Sequence, residues 1–186
     1  MASRRTPTLY TGAAKVFAMS EAHPRWLKAT LAAMLSRMDR RGFVTIGSQA
    51  NEIKHAVERL GSRIRAVPAP NSESSAHKLL ERLGSFFTAQ VLGERFTADP
   101  VLSFVVDDVS ADVLRAIEDS MFIGALIPMV EDASGLMHEG IVGRRLRLSY
   151  WLAPDFRLPL ITGKTAQLSR ILSHSQAQAE QLDLGV

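Results

Sequence analysis

The sequence predicts a mainly α-helical chain with a small β-hairpin towards its C-terminal end. Apolar residues recur at helical spacing through most of the first two thirds of the chain, and around Arg145 the period changes to strict alternation. At 67–75 the pattern is interrupted by two prolines and a Ser/Asn cluster, which break both helix and strand.

Thr11 is placed to N-cap a short helix running to Met19, with Val16, Phe17 and Met19 on its apolar side. Pro24 then reads as the first-turn proline of a second helix. Its Leu27, Leu31, Met34, Leu35 and Met38 share a face, Arg37, Arg40 and Arg41 suit its negative end, and Gly42 stops it. Ser48 opens a third helix, with Ile53, Val57, Leu60 and Ile64 on one stripe and Lys54, Glu58, Arg59 and Arg63 outside. After 67–75 a long helix carries a broad apolar face that includes Leu79, Leu83, Phe87 and Val91. Phe104, Val105 and Val106 suggest a short strand, and Ser110 caps a helix through Val113, Leu114, Ile117 and Met121. The segments 122–130 and 142–152, joined by a Gly-containing polar loop, read as the hairpin. In the second of them Arg145, Arg147 and Ser149 alternate with Leu146, Leu148 and Tyr150. Thr165 is expected to cap a last short helix.

Composition narrows the class. Apolar residues at 46% and charged residues at 22% give a globular balance, with enough apolar side chains to bury a core. The absence of cysteine removes disulfides and thiolate metal sites and points to a reducing, cytoplasmic compartment. No secretory signal is expected. The longest apolar window, 121–130, contains Gly124 and Pro128 and falls far short of the roughly 20 residues that span a bilayer, so no membrane partner is expected.

Charge is segregated. Residues 1–70 have a net charge of +8, residues 71–135 of −7 and residues 136–186 of +2. Either a basic surface meets phosphate or an acidic partner, or the oppositely charged segments pair within one fold.

Most apparent catalytic motifs fail on spacing. Gly163-Lys164-Thr165 resembles the end of a phosphate-binding loop, but Leu158 stands where that loop needs its first glycine. The five histidines never fall four apart, which excludes a paired-histidine metal helix. Asp107-Asp108 suits a solvated helix approach better than a magnesium site without a phosphate loop. No serine lies in a G-x-S-x-G elbow.

The stretch from Val16 to Leu27 is more informative. A short helix ends, a polar turn follows, and a proline-started helix presents Arg25 in its first turn, where the cation and the positive helix end address an anion together. This His23-Pro24-Arg25 turn resembles the sensor-2 region in the lid of AAA+ ATPases of the origin-recognition and replication-initiator type. The resemblance implies that Arg25 touches the γ-phosphate of ATP held on a neighbouring core. The blocks 122–128, 143–154, 156–160 and 168–172 look like the winged-helix end of bacterial members of the same group. The likeness extends from about Tyr10 to Leu172.

It implies a helical lid over 1–67, a linker at 68–75, a winged-helix-like domain over 76–174 and a C-terminal tail at 175–186. Walker A, Walker B and sensor-1 segments are missing. The chain alone is therefore expected to be no enzyme, with ATP and magnesium relevant only once it is joined to an ATPase core. It is either the C-terminal portion of a longer protein or a stand-alone lid and winged helix. The partners implied are an AAA+ core or neighbouring subunit, and double-stranded DNA. Arg144, Arg145 and Arg147, with Lys164, are the candidate phosphate contacts on the ribbon. The alternative is a protein–protein interaction module that never meets DNA, which the acidic middle segment suits.

Overall fold

Side-chain caps start the long helices of the computed structural model, which describes residues 8–21, 23–71, 74–93, 99–129 and 140–174. Helix α1 spans Ala13–Ser20, and α2 spans Pro24–Leu35 with His23 as N-cap and its proline in the first turn. Thr45 caps α3 (Ile46–Arg65) by accepting from the Ser48 N–H at 3.1 Å. Ser75 caps α4 (Ala76–Leu92), accepting from Lys78 N–H at 3.2 Å. Strand β1 (Val101–Val105) precedes α5 (Ala111–Ile123), which Ser110 caps as expected. Then come β2 (Leu126–Pro128), β3 (Arg145–Leu148), a 3-10 turn at Tyr150–Leu152, α6 (Ala153–Phe156), β4 (Lys164–Gln167) and α7 over 168–174.

The class is the expected one, mainly helical with a small sheet, and it is compatible with a helical lid followed by a winged-helix-like domain. Several boundaries move. Gly12, not Thr11, caps α1, and Thr45, not Ser48, caps α3. Helix α2 stops at Leu35 instead of reaching Gly42, because Asp39 accepts from the Arg41 and Phe43 N–H groups and closes a tight turn. Phe122 belongs to α5.

The sheet is larger than a hairpin: four strands in the order β2-β3-β1-β4, antiparallel except for the parallel β1–β4 pair. Thr165 therefore sits in a strand, and α7 begins three residues later. Asp107 takes over the capping role there, accepting from the Ser169 N–H at 2.9 Å and from its hydroxyl. These bonds outweigh the cost of burial and hold the Asp107 carboxyl below its ordinary range. The hairpin loop at 130–139 and the tail at 175–186 lie outside the described residues.

Strand alternation gives the sheet two unlike faces. Leu102, Phe104, Leu146 and Leu148 are buried, and α4 packs against β1 and β3. The opposite face has two cross-strand rows: Arg147, Ser103 and Thr165 in one, Arg145, Val105 and Gln167 in the other.

A single apolar cluster joins Val16, Met19 and Met34 of the first helices to Phe87, Phe104 and Leu168. The break at 68–75 separates α3 from α4 in the chain, yet this core is continuous across it. Tyr10 is one of its fasteners. Its hydroxyl donates to the carbonyls of Ala153 at 3.0 Å and Leu158 at 2.8 Å, which ties the first residues described to the segment after β3.

Burial pushes the Tyr10 phenol from its ordinary 10.0 up to about 12. The folded chain thus keeps a proton that the unfolded chain gives up near pH 10. Folding stability from this group should be complete below pH 10 and fall as pH rises towards 12. A stability–pH curve for Tyr10→Phe that still shows the same alkaline fall would contradict the assignment.

Candidate functional site

Arg25 lies in the first turn of α2 and is exposed to solvent. Pro24 presets the helical backbone at the start of that turn, and His23 Nδ1 accepts from Trp26 N–H at 3.4 Å. Among the described residues Arg25 has no hydrogen-bond or ion-pair partner, so its guanidinium projects from the turn into solvent.

The turn is held on both sides of Arg25. On one side Glu21 ends α1 with a positive φ of 50°, a conformation that costs a non-glycine residue energy. Its carboxylate is buried and accepts from the Arg147 guanidinium, the Ser149 hydroxyl and, at 3.0 Å, the Tyr150 N–H. On the other side Trp26 packs against Trp151, with ring centroids 6.1 Å apart, and Arg63 lies 5.8 Å over the Trp26 ring. Residues 147–151 thus form a platform that grips both ends of the Arg25 turn.

The four ribbon cations have different surroundings. The Arg147 side chain is only 13% exposed; besides its ion pair with Glu21, it covers the Tyr150 ring at 3.9 Å. It faces inward as part of the platform, which removes it from any set of free phosphate contacts. Arg145 is half-buried, donating to the Ser103 hydroxyl at 3.3 Å and the Gly163 carbonyl at 3.4 Å. Arg144 is half-buried, immediately before β3. Lys164 is exposed and pairs across solvent with Asp99 at 3.5 Å. Strand β3 lies inside the sheet, between β2 and β1, so these arginines do not line a free strand edge.

The Gly163-Lys164-Thr165 run cannot cradle phosphate. A phosphate loop turns successive N–H groups towards its ligand before a helix, whereas here Lys164 N–H donates to the Pro100 carbonyl at 2.9 Å and the chain enters β4. Gly163 has φ +61°, and a Cβ on it would lie 2.6 Å from the Pro100 oxygen. The glycine serves close backbone approach. Among the described residues there is no cluster of three His, Cys, Asp or Glu side chains able to hold a metal ion, and no helix long and apolar enough to cross a membrane.

Reading the sequence alone missed Glu21. Nothing local marks a glutamate in a polar turn as the partner of an arginine 126 residues away.

A family model described as ORC-CDC6-like matches residues 1–168. No curated protein and no solved structure matches the chain. With nine-tenths of its length matched by that model, the chain belongs to the ORC-CDC6-like family and is related to initiator-type AAA+ ATPases.

Proposed function

We propose that the chain is a lid and winged-helix module of an initiator-type AAA+ ATPase, sensing nucleotide on a separate core through Arg25 and contacting DNA through its sheet. The observation that carries this reading is the setting of Arg25: unpaired among the described residues, at a helix start, on a turn gripped by Glu21 and Trp26. The held turn fixes where this cation starts from, which suits it to an anion supplied by another molecule, with only its own side chain left to order on binding.

We assign ATP and magnesium to that other core: the Gly163-Lys164-Thr165 run forms no phosphate cradle, and among the described residues there is no carboxylate or histidine cluster able to hold a metal ion. An exposed apolar turn between α2 and α3 supports docking to such a core or to a neighbouring subunit. Leu35, Met38, Phe43 and Ile46 are 49–69% exposed there, beside Arg40 and Arg41. For DNA, Arg144, Arg145 and Lys164 remain as phosphate contacts. The acidic residues Asp112, Glu118 and Asp119 on α5 argue for backbone contact rather than base readout from that helix.

The isolated chain should neither hydrolyse ATP nor bind it at micromolar concentration, and a calorimetric titration with magnesium-ATP checks this. With its AAA+ core present, the chain should change ATP turnover, and Arg25→Ala should abolish that change while the two still assemble. An Arg25→Ala chain that modulates turnover as the parent does would end the sensing role.

A further inference from the structure

A groove of about 620 Å³ runs along the β4 side of the sheet, between α4 and α7. Its polar lining is Gln90 from α4, Thr165 and Gln167 from β4, and Arg170 and His174 from α7; Phe86 supplies an aromatic wall. No carboxylate lines it among the described residues. Arg170 is exposed and has no partner among the described residues, while the His174 ring meets Phe86 edge-on at 5.7 Å.

We infer that this groove binds a segment of single-stranded nucleic acid. A guanidinium fork matches a phosphate. The amides of Gln90 and Gln167 supply further neutral donors, while the Thr165 hydroxyl is bonded to the Ser103 hydroxyl at 2.9 Å. Aromatic rings beside a cationic groove are what sequence-tolerant strand binding uses, the cation following the backbone and the rings meeting the bases. The groove also has a continuation. Gln167, Val105 and Arg145 form one cross-strand row, so the next cation lies two strands away, about 10 Å at ordinary strand spacing. The residues that line the groove include none of the duplex contacts proposed above; only its continuation reaches one of them, Arg145, so Arg170→Ala tests the groove separately.

The test is fluorescence anisotropy of a labelled twelve-nucleotide oligothymidylate with the full chain across a salt series. Arg170→Ala should weaken binding about tenfold, the loss of one charge-assisted contact. It should also reduce the salt slope by about 0.7, the value for one single-strand phosphate. Gln167→Ala should weaken binding by less, and circular dichroism should show both variants folded. Three results would each overturn the inference: no binding by the parent at low salt, equal binding by parent and Arg170→Ala, or equal competition by a polyglutamate peptide. Thymidine monophosphate competing as well as the oligonucleotide would overturn the strand assignment too. If duplex binding fails while the oligonucleotide result holds, only the duplex reading is lost.

Discussion

Replacing Arg147 by alanine should destabilise the protein by about 3–5 kcal/mol, the usual result of stripping the partner from a buried charge. Glu21, whose side chain is 6% exposed with Arg147 in place, would retain the Ser149 hydroxyl and the Tyr150 N–H as donors but lose its cation. The guanidinium would also vanish from the Tyr150 ring, which it covers at 3.9 Å. In a chain of 186 residues this should lower Tm by about 10 °C. Removing both charges in Glu21→Gln/Arg147→Met should restore much of the loss, since an apolar replacement leaves no stranded ion. Thermal unfolding of the two singles and the double measures the coupling. An Arg147→Ala protein as stable as the parent would mean that the platform does not hold the Arg25 turn.

Gly163→Ala is the second large effect. The left-handed backbone at φ +61° costs a side-chain-bearing residue about 1–2 kcal/mol. The new Cβ would also meet the Pro100 oxygen at 2.6 Å and Leu102 Cβ at 2.8 Å, an overlap worth about 1–3 kcal/mol more. The first contact is to backbone, so β4 must pull away from β1. Gly47→Ala, with nothing within 4 Å, is the control and should be neutral or slightly stabilising. Denaturant unfolding distinguishes the two sites. A fully stable Gly163→Ala chain would refute the close-approach role and reopen the glycine for another one.

Local features of the sequence located the long helices and three of the strands, but not every helix boundary and not the fourth strand. Pro24 and Ser110 mark helix starts through their own chemistry, and the stripe Ile53, Val57, Leu60, Ile64 is buried as its spacing requires. Strand β4 left no trace, because four residues with Thr165, Ala166 and Gln167 among them show no period. Its identity comes from parallel pairing with β1, some sixty residues earlier. The site divides in the same way. The place of Arg25 in the first turn of α2 was legible because helix start, proline and arginine are adjacent. Arg147 was misread because period-2 placement fixes a strand face and says nothing of what covers it; here Glu21 does. A glutamate with positive φ, far away in sequence, is a tertiary fact.

The apolar turn at Leu35, Met38, Phe43 and Ile46 and the basic residues near the sheet lie on different elements, which suits a module that docks to a protein and to DNA at once. The two readings of the chain diverge on DNA alone.

The salt dependence of binding to random-sequence duplex DNA tests that difference most directly. With Arg144, Arg145 and Lys164 as contacts, log K against log salt should fall with a slope of about −2.7, at about −0.9 per phosphate. Affinity should lie on the order of 10⁻⁴–10⁻⁶ M near physiological salt. Arg144→Ala/Lys164→Ala should flatten the slope by about 1.8. A parent protein that binds no duplex at low salt, or binds it without salt dependence, would contradict DNA contact and leave the chain as a protein-docking module.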